Sequence, residues 1–523
     1  MTDPAKVSRM RRASRYTVES PIPNRPDVGG PLAAAWWAVV VVVLASCVAM
    51  PTPVSAAEKP SDEKPGTRET EDIGAGRIAE LTKIQAQAET ARELRFKQPP
   101  VYKSLRADEL APYLRKQMLE EFKESELNDL LLAYEKLGLI PSSEGMVDEL
   151  VRAYADEVVA FYDQDANTVH LIGDLKVPAV MQRIAELHEL VHALQDQNFD
   201  LGTLPLKDKL TDPSTAAAAL VEGDAMLATY DYAREHAQLA LSDLIETALG
   251  TSATAPAMPY LLEREMAFVY RNGFDLARAL RKRGGWAALN AAFATPPAST
   301  EQVLHYREKY IEARDEPTPV ELPDVSAALG EGWRLVANDV LGELYVQTLF
   351  RLHLSYLRAN TPSRGWDGDR MQFYRPADAD VSSDDKAAAD AYVLVWSTVW
   401  DSERDAKEFA EAYREVMAKK LGADETSVRA DGNAERKGPV VTITGEDVLG
   451  LIVTEGTRVL TVEGRPKSAV RAALKAMADE ASADEGSGAA PAGEGAPAGA
   501  SAPGDTTADG TSTADGGVHQ ETR

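Results

Sequence analysis

Residues His188 to His192 read HELVH, and no other five residues restrict the fold of this chain as much. In an α-helix, positions four apart lie one above the other on a single face. His188 and His192 therefore offer two imidazoles to one metal ion, with Glu189 beside them. The chain holds 7 histidines in 523 residues. An accidental HExxH is expected in roughly one such chain in a hundred, so the motif is weighed with its surroundings. In MQRIAELHELVHALQDQ, from Met181, residues Ile184, Leu187, Val191 and Leu194 recur at helical spacing. They make a half-buried helix with the two histidines beside its apolar stripe; solvated histidines on a surface helix are the competing interpretation. Upstream, VVAFYD and TVHLI flank the turn DQDAN, which reads as a β-hairpin from Val158 to Ile172.

Two histidines do not complete a site. A catalytic zinc takes three protein ligands and leaves its fourth position to water, whose pKa the metal lowers toward neutrality. A carboxylate at the position of Glu189 can accept that water's proton and pass it to a leaving amine. The pattern HExxHxxGxxH is excluded, because Gln195 stands at its glycine and Asn198 at its last histidine. Glutamate is the next candidate. Asp212 and Pro213 read as the N-cap and first residue of a helix, PSTAAAALVEGDAMLATYDY. Ala216 to Ala219 let this helix lie close against a neighbour. Glu222 sits in its apolar middle, where an ionised carboxylate is costly unless paired or bound to metal. Glu222 is the expected third ligand, with a structural salt bridge as the alternative.

HELVH followed by EGDA resembles the gluzincins, the zinc peptidases typified by thermolysin and the aminopeptidase N family. In these, HExxH on one helix is completed by a glutamate on the next, and EGDA is similar to the EGxA form of the aminopeptidase branch. The resemblance implies Zn2+ held by His188, His192 and Glu222, with Glu189 as general base and a peptide or protein as substrate. Thermolysin-like enzymes place an aspartate four residues after the ligand glutamate to orient a histidine. Met226 stands there, which leaves Asp224 or Asp196 for that role; Asp196 is favoured, being four residues past His192. PPASTEQVLHYREKY from Pro296, LGELYVQTLF from Leu341 and GWDGDR from Gly365 are similar to blocks of secreted bacterial proteins that carry HELxHALQDQ. In that group a proline commonly follows STEQVLH, where this chain has Tyr306.

Hydrolysis also requires a donor for the oxyanion. His305, in a loop-like stretch, is the first candidate, followed by Tyr260, Tyr270 and Tyr310; a packed, hydrogen-bonded role competes for each. His170, in the second strand of the hairpin, is expected to be structural or substrate-facing rather than a ligand. If Thr168 to Ile172 is an edge strand, an extended peptide can bind by strand addition. Otherwise the hairpin only buries Val158 and Phe161.

Arg9, Arg11, Arg12 and Arg15 precede an apolar run from about Leu32 to Met50, and polar sequence resumes at Glu58. Residues 1–57 therefore read as an export signal or a membrane or lipid anchor. LASC, Leu44 to Cys47, resembles the lipobox of bacterial lipoproteins, and VSA, Val54 to Ala56, suits ordinary signal cleavage. The apolar run, about 19 residues, is also just enough to cross a bilayer. Each fate places Glu58 onward outside the cytoplasm, in the cell envelope or secreted, because the arginines stay inside. Cys47 is the only cysteine, so the exported part has no disulfide. A net charge of −27 argues against nucleic acid or acidic membrane surfaces as partners.

Residues 58–75 read as a polar linker and 76–400 as the metallopeptidase-like region. That region opens with helical patterns over Ile78 to Phe96 and Ala107 to Leu137; beyond Glu222 most of it reads helical to Val399, broken by Pro and Gly loops such as Ala294 to Ser299 and Thr361 to Asp369. Residues 401–480 read as a small appended α+β module: the helix SERDAKEFAEAYREVMAKKL, the strands PVVTIT, VLGLIVT and RVLTVEG, and a helix from Pro466 to about Glu480. Residues 481–523, rich in Gly, Ala and Pro, are expected to be a disordered acidic tail with His519 in solvent. The expected fold is thus α+β and predominantly helical, with a zincin-like hairpin and active-site helix ahead of a helical lobe. The expected function is an exported zinc-dependent peptidase. A metal-dependent cell-wall peptide hydrolase and an inactive zincin-fold binding protein are the alternatives.

Overall fold

The computed structural model describes residues 73–487 apart from 122, 156–157, 174–176, 208–209, 237–258, 378–389, 423–427 and 432–439. The segment read as an export signal or anchor, with Cys47, lies outside the described residues, as do the linker to residue 72 and the tail from residue 488. No helix among the described residues is long and apolar enough to cross a membrane. The chain divides into two units, Met1–Met477 and Ala478–Arg523; of the second, only the helical residues 478–487 are described.

Helix α1 (Ala75–Arg92) buries Leu81, Ile84, Ala88 and Arg92, a stripe at helical spacing. Strand β1 (Val101–Arg106) follows, then α2 (Ala107–Glu121), α3 (Glu124–Leu137) and α4 (Met146–Ala155). The single helix expected over Ala107–Leu137 is two, because Lys123 takes an extended backbone (φ −71°, ψ 137°). The break places Glu124 and Glu126 in the first turn of α3, where the helix dipole favours acids. The hairpin forms as expected from β2 (Ala160–Asp163) and β3 (Thr168–Gly173), with Asn167 left-handed (φ 47°) in its turn. Its place in the sheet differs from the edge reading. The strand order is β1-β3-β2, with β1 parallel to β3 in register Val101↔Thr168. Thr168 to Ile172 is therefore paired on both sides and cannot accept a further strand; β2 and β1 are the edges.

Helix α5 (Ala179–Phe199) carries HELVH and is buried without interruption from Ile184 to Gln195. The long helix α6 (Thr211–His236) follows, and α1 packs against both. Next come α7 (Tyr260–Ala267), a π-helical turn over Phe268–Asn272, and α8 (Gly273–Ala292). The small residues of α6 do what their size allows. A Cβ added at Gly223 would lie 2.1 Å from the carbonyl oxygen of Gly273, and one added at Gly273 would lie 2.1 Å from that of Ala219. The backbones of α6 and α8 are in contact there.

The helix starts of α6, α9 (Thr300–Leu304) and α10 (Gly342–His353) meet at three buried aspartates. Asp212 does not cap its own helix; its Oδ1 accepts the Thr300 amide at 2.9 Å and the Thr300 hydroxyl. Asp339, at the end of β4 (Trp333–Asp339), accepts the Thr211 amide at 2.8 Å. Asp369, in β5 (Trp366–Pro376), accepts the amides of Leu341 and Gly342 at 2.9 Å each. Free amides at helix starts are satisfied by carboxylates from other elements, in the orientation the helix dipole favours. Gly342 has to be glycine: its φ is +74° and a Cβ would fall 1.7 Å from Asp212 Oδ1.

β4 and β5 begin an antiparallel sheet completed by β6 (Tyr392–Trp400), β7 (Val428–Asp431), β8 (Val440–Thr444), β9 (Leu449–Glu455) and β10 (Arg458–Arg465). Its seven strands run in the order β4-β5-β6-β10-β9-β8-β7. Strands β4, β5 and β6 thus stand inside the stretch expected to be mostly helical up to Val399, and the sheet does not stop at the module boundary expected at residue 401. β6 pairs with β10 from Tyr392↔Arg465 to Val399↔Arg458, so one sheet crosses that boundary. Every residue of β6 is buried, and a strand covered on both faces shows no polar alternation to read. Helix α11 (Glu403–Lys420) is capped by Ser402, whose hydroxyl accepts the Asp405 amide. Helix α12 (Lys467–Ser487) runs past its expected end near Glu480, so residues 481–487 of the expected tail are helical.

Candidate metal centre

Three ligand atoms from two helices converge. His188 Nε2 lies 3.0 Å from His192 Nε2 and 3.2 Å from Glu222 Oε2, and His192 Nε2 lies 3.6 Å from Glu222 Oε1. Tetrahedral coordination with bonds near 2.0–2.1 Å puts ligand atoms about 3.3 Å apart, so the triangle has the size such an ion requires. Among the described residues this group, fully buried, is the one His/Cys/Asp/Glu cluster that could hold a metal ion. Glu222 Oε1 makes no hydrogen bond, an orphaned buried acceptor that a cation would satisfy. Burial pushes the His188 pKa down to about 3 and that of His192 to about 4, against the pull of Glu222 on the latter. Both imidazoles are thus neutral at physiological pH, as ligation demands.

The outward nitrogens are held as well. His188 Nδ1 faces Thr229 Oγ1 at 3.4 Å. His192 Nδ1 donates to Gln195 Oε1 at 2.8 Å, which leaves the Nε2 lone pair toward the metal position. Asp196 does not play the part expected of it: it accepts the Tyr162 hydroxyl at 2.6 Å and the Leu201 amide at 3.2 Å. On α5 the Nδ1 of His192 reaches three residues along to Gln195 rather than four. Asp224 takes part instead, accepting Gln195 Nε2 at 2.7 Å and Arg92 Nε at 2.8 Å.

Glu189 is buried beside the cluster, and its Oε2 accepts the Tyr162 amide of edge strand β2 at 2.9 Å. Burial, then the nearby Glu222 carboxylate, raise its pKa well above the usual carboxylate range. Of the donor candidates, Tyr270 reaches the cluster: it is buried in the π-helical turn, and its hydroxyl hydrogen-bonds to Glu222. Tyr310 donates to the Thr295 carbonyl at 2.7 Å, and Tyr260 is exposed at the start of α7. His305 does not join the group. Its Nε2 pairs with Glu343 Oε2 at 2.8 Å, which raises its pKa, and Glu343 lies beside Leu344, whose amide bonds to Thr300 at the aspartate junction. Asp212, at that junction, precedes Glu222 by ten residues, about 15 Å along α6. His170 stacks on Phe161 (4.6 Å, 4°), across the sheet from Tyr162 and α5. Burial lowers its pKa to about 4.

Gln195, Thr229 and Arg92 were not anticipated. A signal existed for Arg92, a basic residue continuing the apolar stripe of α1; Gln195 and Thr229 carried none. A family model described as a domain of unknown function (DUF8575) matches residues 332–475, which take in the seven-stranded sheet and exclude the His188–Glu222 group. No curated protein and no solved structure matches the chain.

Proposed function

We propose that the protein is an exported, zinc-dependent metallopeptidase of the gluzincin type. The observation that carries this reading is the triangle of His188, His192 and Glu222 with the Glu189 carboxylate beside it. Zinc bound there would polarise a peptide carbonyl and lower the pKa of a water molecule. Glu189, fixed through Oε2 by the Tyr162 amide, keeps its other oxygen for a proton. Its raised pKa suits a group that takes a proton and passes it to the leaving amine. Tyr270 orients Glu222 through the hydrogen bond of its hydroxyl. Gln195 fixes the His192 tautomer. A peptide substrate is supported by the resemblance of HELVH and EGDA to the gluzincins, and export by the arginines and apolar run ahead of Glu58.

The test compares zinc content and peptide cleavage across wild type, Glu189→Gln and Glu222→Ala. Wild type should bind one zinc. Glu189→Gln should keep it and lose roughly 10²–10⁴-fold in rate, whereas Glu222→Ala should lose both. Full activity in Glu189→Gln would refute the assigned base, and a metal-free wild type would refute the site. Activity on purified cell-wall peptides but not on proteins would redirect the substrate class.

A further inference from the structure

We propose that α1 is a working part of the metal centre rather than a removable pro-segment, with Arg92 a positioning residue that fixes His192 through Asp224 and Gln195. This rests on reading His188, His192 and Glu222 as a metal site. Arg92, the last residue of α1, is fully buried. Its Nε contacts Asp224 at 2.7–2.8 Å, its Nη2 donates to Asn290 Oδ1 at 2.6 Å, and its guanidinium lies 4.3 Å from the centre of the Trp286 ring. Asp224 is equally buried. A carboxylate so placed needs a counter-charge, and Arg92 is the cation paired with it.

The direction of the hydrogen bonds gives this pair its role. A glutamine side chain can present either its carbonyl or its NH2 to a neighbour. With the NH2 toward His192, Nδ1 would become the acceptor and the proton would move to Nε2, leaving no lone pair on the nitrogen that faces His188 and Glu222. Asp224, an acceptor, takes the NH2 of Gln195 at 2.7 Å and so turns Oε1 toward His192 Nδ1 at 2.8 Å. Gln195 Nε2 also donates to the Val221 carbonyl at 2.9 Å, a second acceptor that enforces the same orientation. The far end of α1 is pinned too: Arg77 pairs with Glu186, two residues before His188 on α5. One helix thus clamps α5 ahead of its first ligand and beyond its second. By linkage, whatever docks α1 favours metal, and metal favours docked α1.

The test measures Zn2+ affinity by chelator competition, and thermal midpoints with and without Zn2+, on the full chain. The variants are Arg92→Met, Arg92→Lys, Gln195→Leu and the double Arg92→Met/Gln195→Leu. Arg92→Met and Gln195→Leu should each weaken zinc binding roughly 10–100-fold. The double should be no weaker than Gln195→Leu, because both act through one path, and Arg92→Lys should recover part of the loss. A folded Arg92→Met with unchanged zinc affinity, or additive losses in the double, would overturn the proposal. If Arg92→Met does not fold, Asp224→Asn replaces it in the same comparison, and wild-type affinity in Asp224→Asn overturns the idea. A wild type that binds no zinc removes both this inference and the peptidase reading; wild-type binding with an insensitive Arg92 removes only this one.

Discussion

Gly223→Ala adds one methyl group between Glu222 and Asp224, and the structure says how badly it fits. The new Cβ would sit 2.1 Å from the Gly273 carbonyl oxygen and 2.2 Å from its carbon, where contacts under 3.0 Å are essentially never seen. The obstacle is backbone, so no side chain can rotate away, and α6 and α8 must separate by about 1 Å in a close-packed interior. Two effects oppose each other. Alanine is the better helix former by roughly 0.5–1 kcal/mol, whereas overpacking costs roughly 1–3 kcal/mol, with a backbone clash at the upper end. The clash should win by about 1–2 kcal/mol. It should also move Glu222 against the two histidines, lowering metal affinity roughly tenfold or more, as shifts around ligands do. Urea unfolding of the metal-free protein and chelator competition would measure the two effects. Gly76→Ala is the internal control: nothing lies within 4 Å of a Cβ there, so the helix preference acts alone and stability should hold or rise by up to about 1 kcal/mol. If Gly223→Ala behaves like Gly76→Ala, the helices are not in backbone contact and the account of how Glu222 is placed is wrong.

Burial raises the pKa of Asp212 to about 8, Glu265 to about 7 and Asp339 to about 6. The folded chain then holds protons the unfolded chain has released, so stability should fall as pH rises from about 4 to 8 and level off above. Asp212→Asn should flatten the upper part of that profile in urea titrations, and greater stability at pH 8 than at pH 5 would contradict the assignment. Asp196→Asn should leave zinc affinity unchanged, since Asp196 holds Tyr162 and Leu201 rather than His192; a tenfold loss would restore the role first expected of it. A chain ended at Trp400 should be insoluble on expression, because it strips β10 from the fully buried strand β6. A soluble, cooperatively melting product would show that the sheet is divisible at residue 401.

What could be read from the residues was what a single element declares by itself. HELVH shows its geometry because both histidines share one helix. Glu222 stands out because it is an acid in an apolar run, and Ala216 to Ala219 announced a close neighbour. The hairpin and strands β8 to β10 carried alternation and turn residues. Failure came where meaning depends on a distant partner. Asp196 looked the better support for His192 until the rotation of α5 put Gln195 at its Nδ1, and the place of Arg92 on the apolar stripe of α1 does not name its partner, because Asp224 lies 132 residues away. β6 hid its strand character because both of its faces are covered.

The residues that match the domain of unknown function contribute none of the candidate ligands, yet they determine where Glu222 stands. Helix α6 is 26 residues long, and a rod of that length transmits any displacement of its first turn to Glu222. That first turn is held by the sheet. Asp339 on β4 accepts the Thr211 amide and hydroxyl at 2.8 Å each, and Tyr134 from α3 donates to the same carboxylate at 2.8 Å. Asp212, one residue on, grips the start of α9, while Asp369 on β5 grips the start of α10. Each grip joins a buried carboxylate to helix amides, so loosening one leaves polar groups unsatisfied rather than merely a gap. At its middle the rod is pressed on α8 at Gly223, next to Glu222. α6 is thus fixed at two points, one supplied by the sheet and one by α8, and Glu222 stands immediately before the second. The HExxH helix and the sheet are therefore mechanically one device, which is why a boundary drawn between them fails on structural grounds.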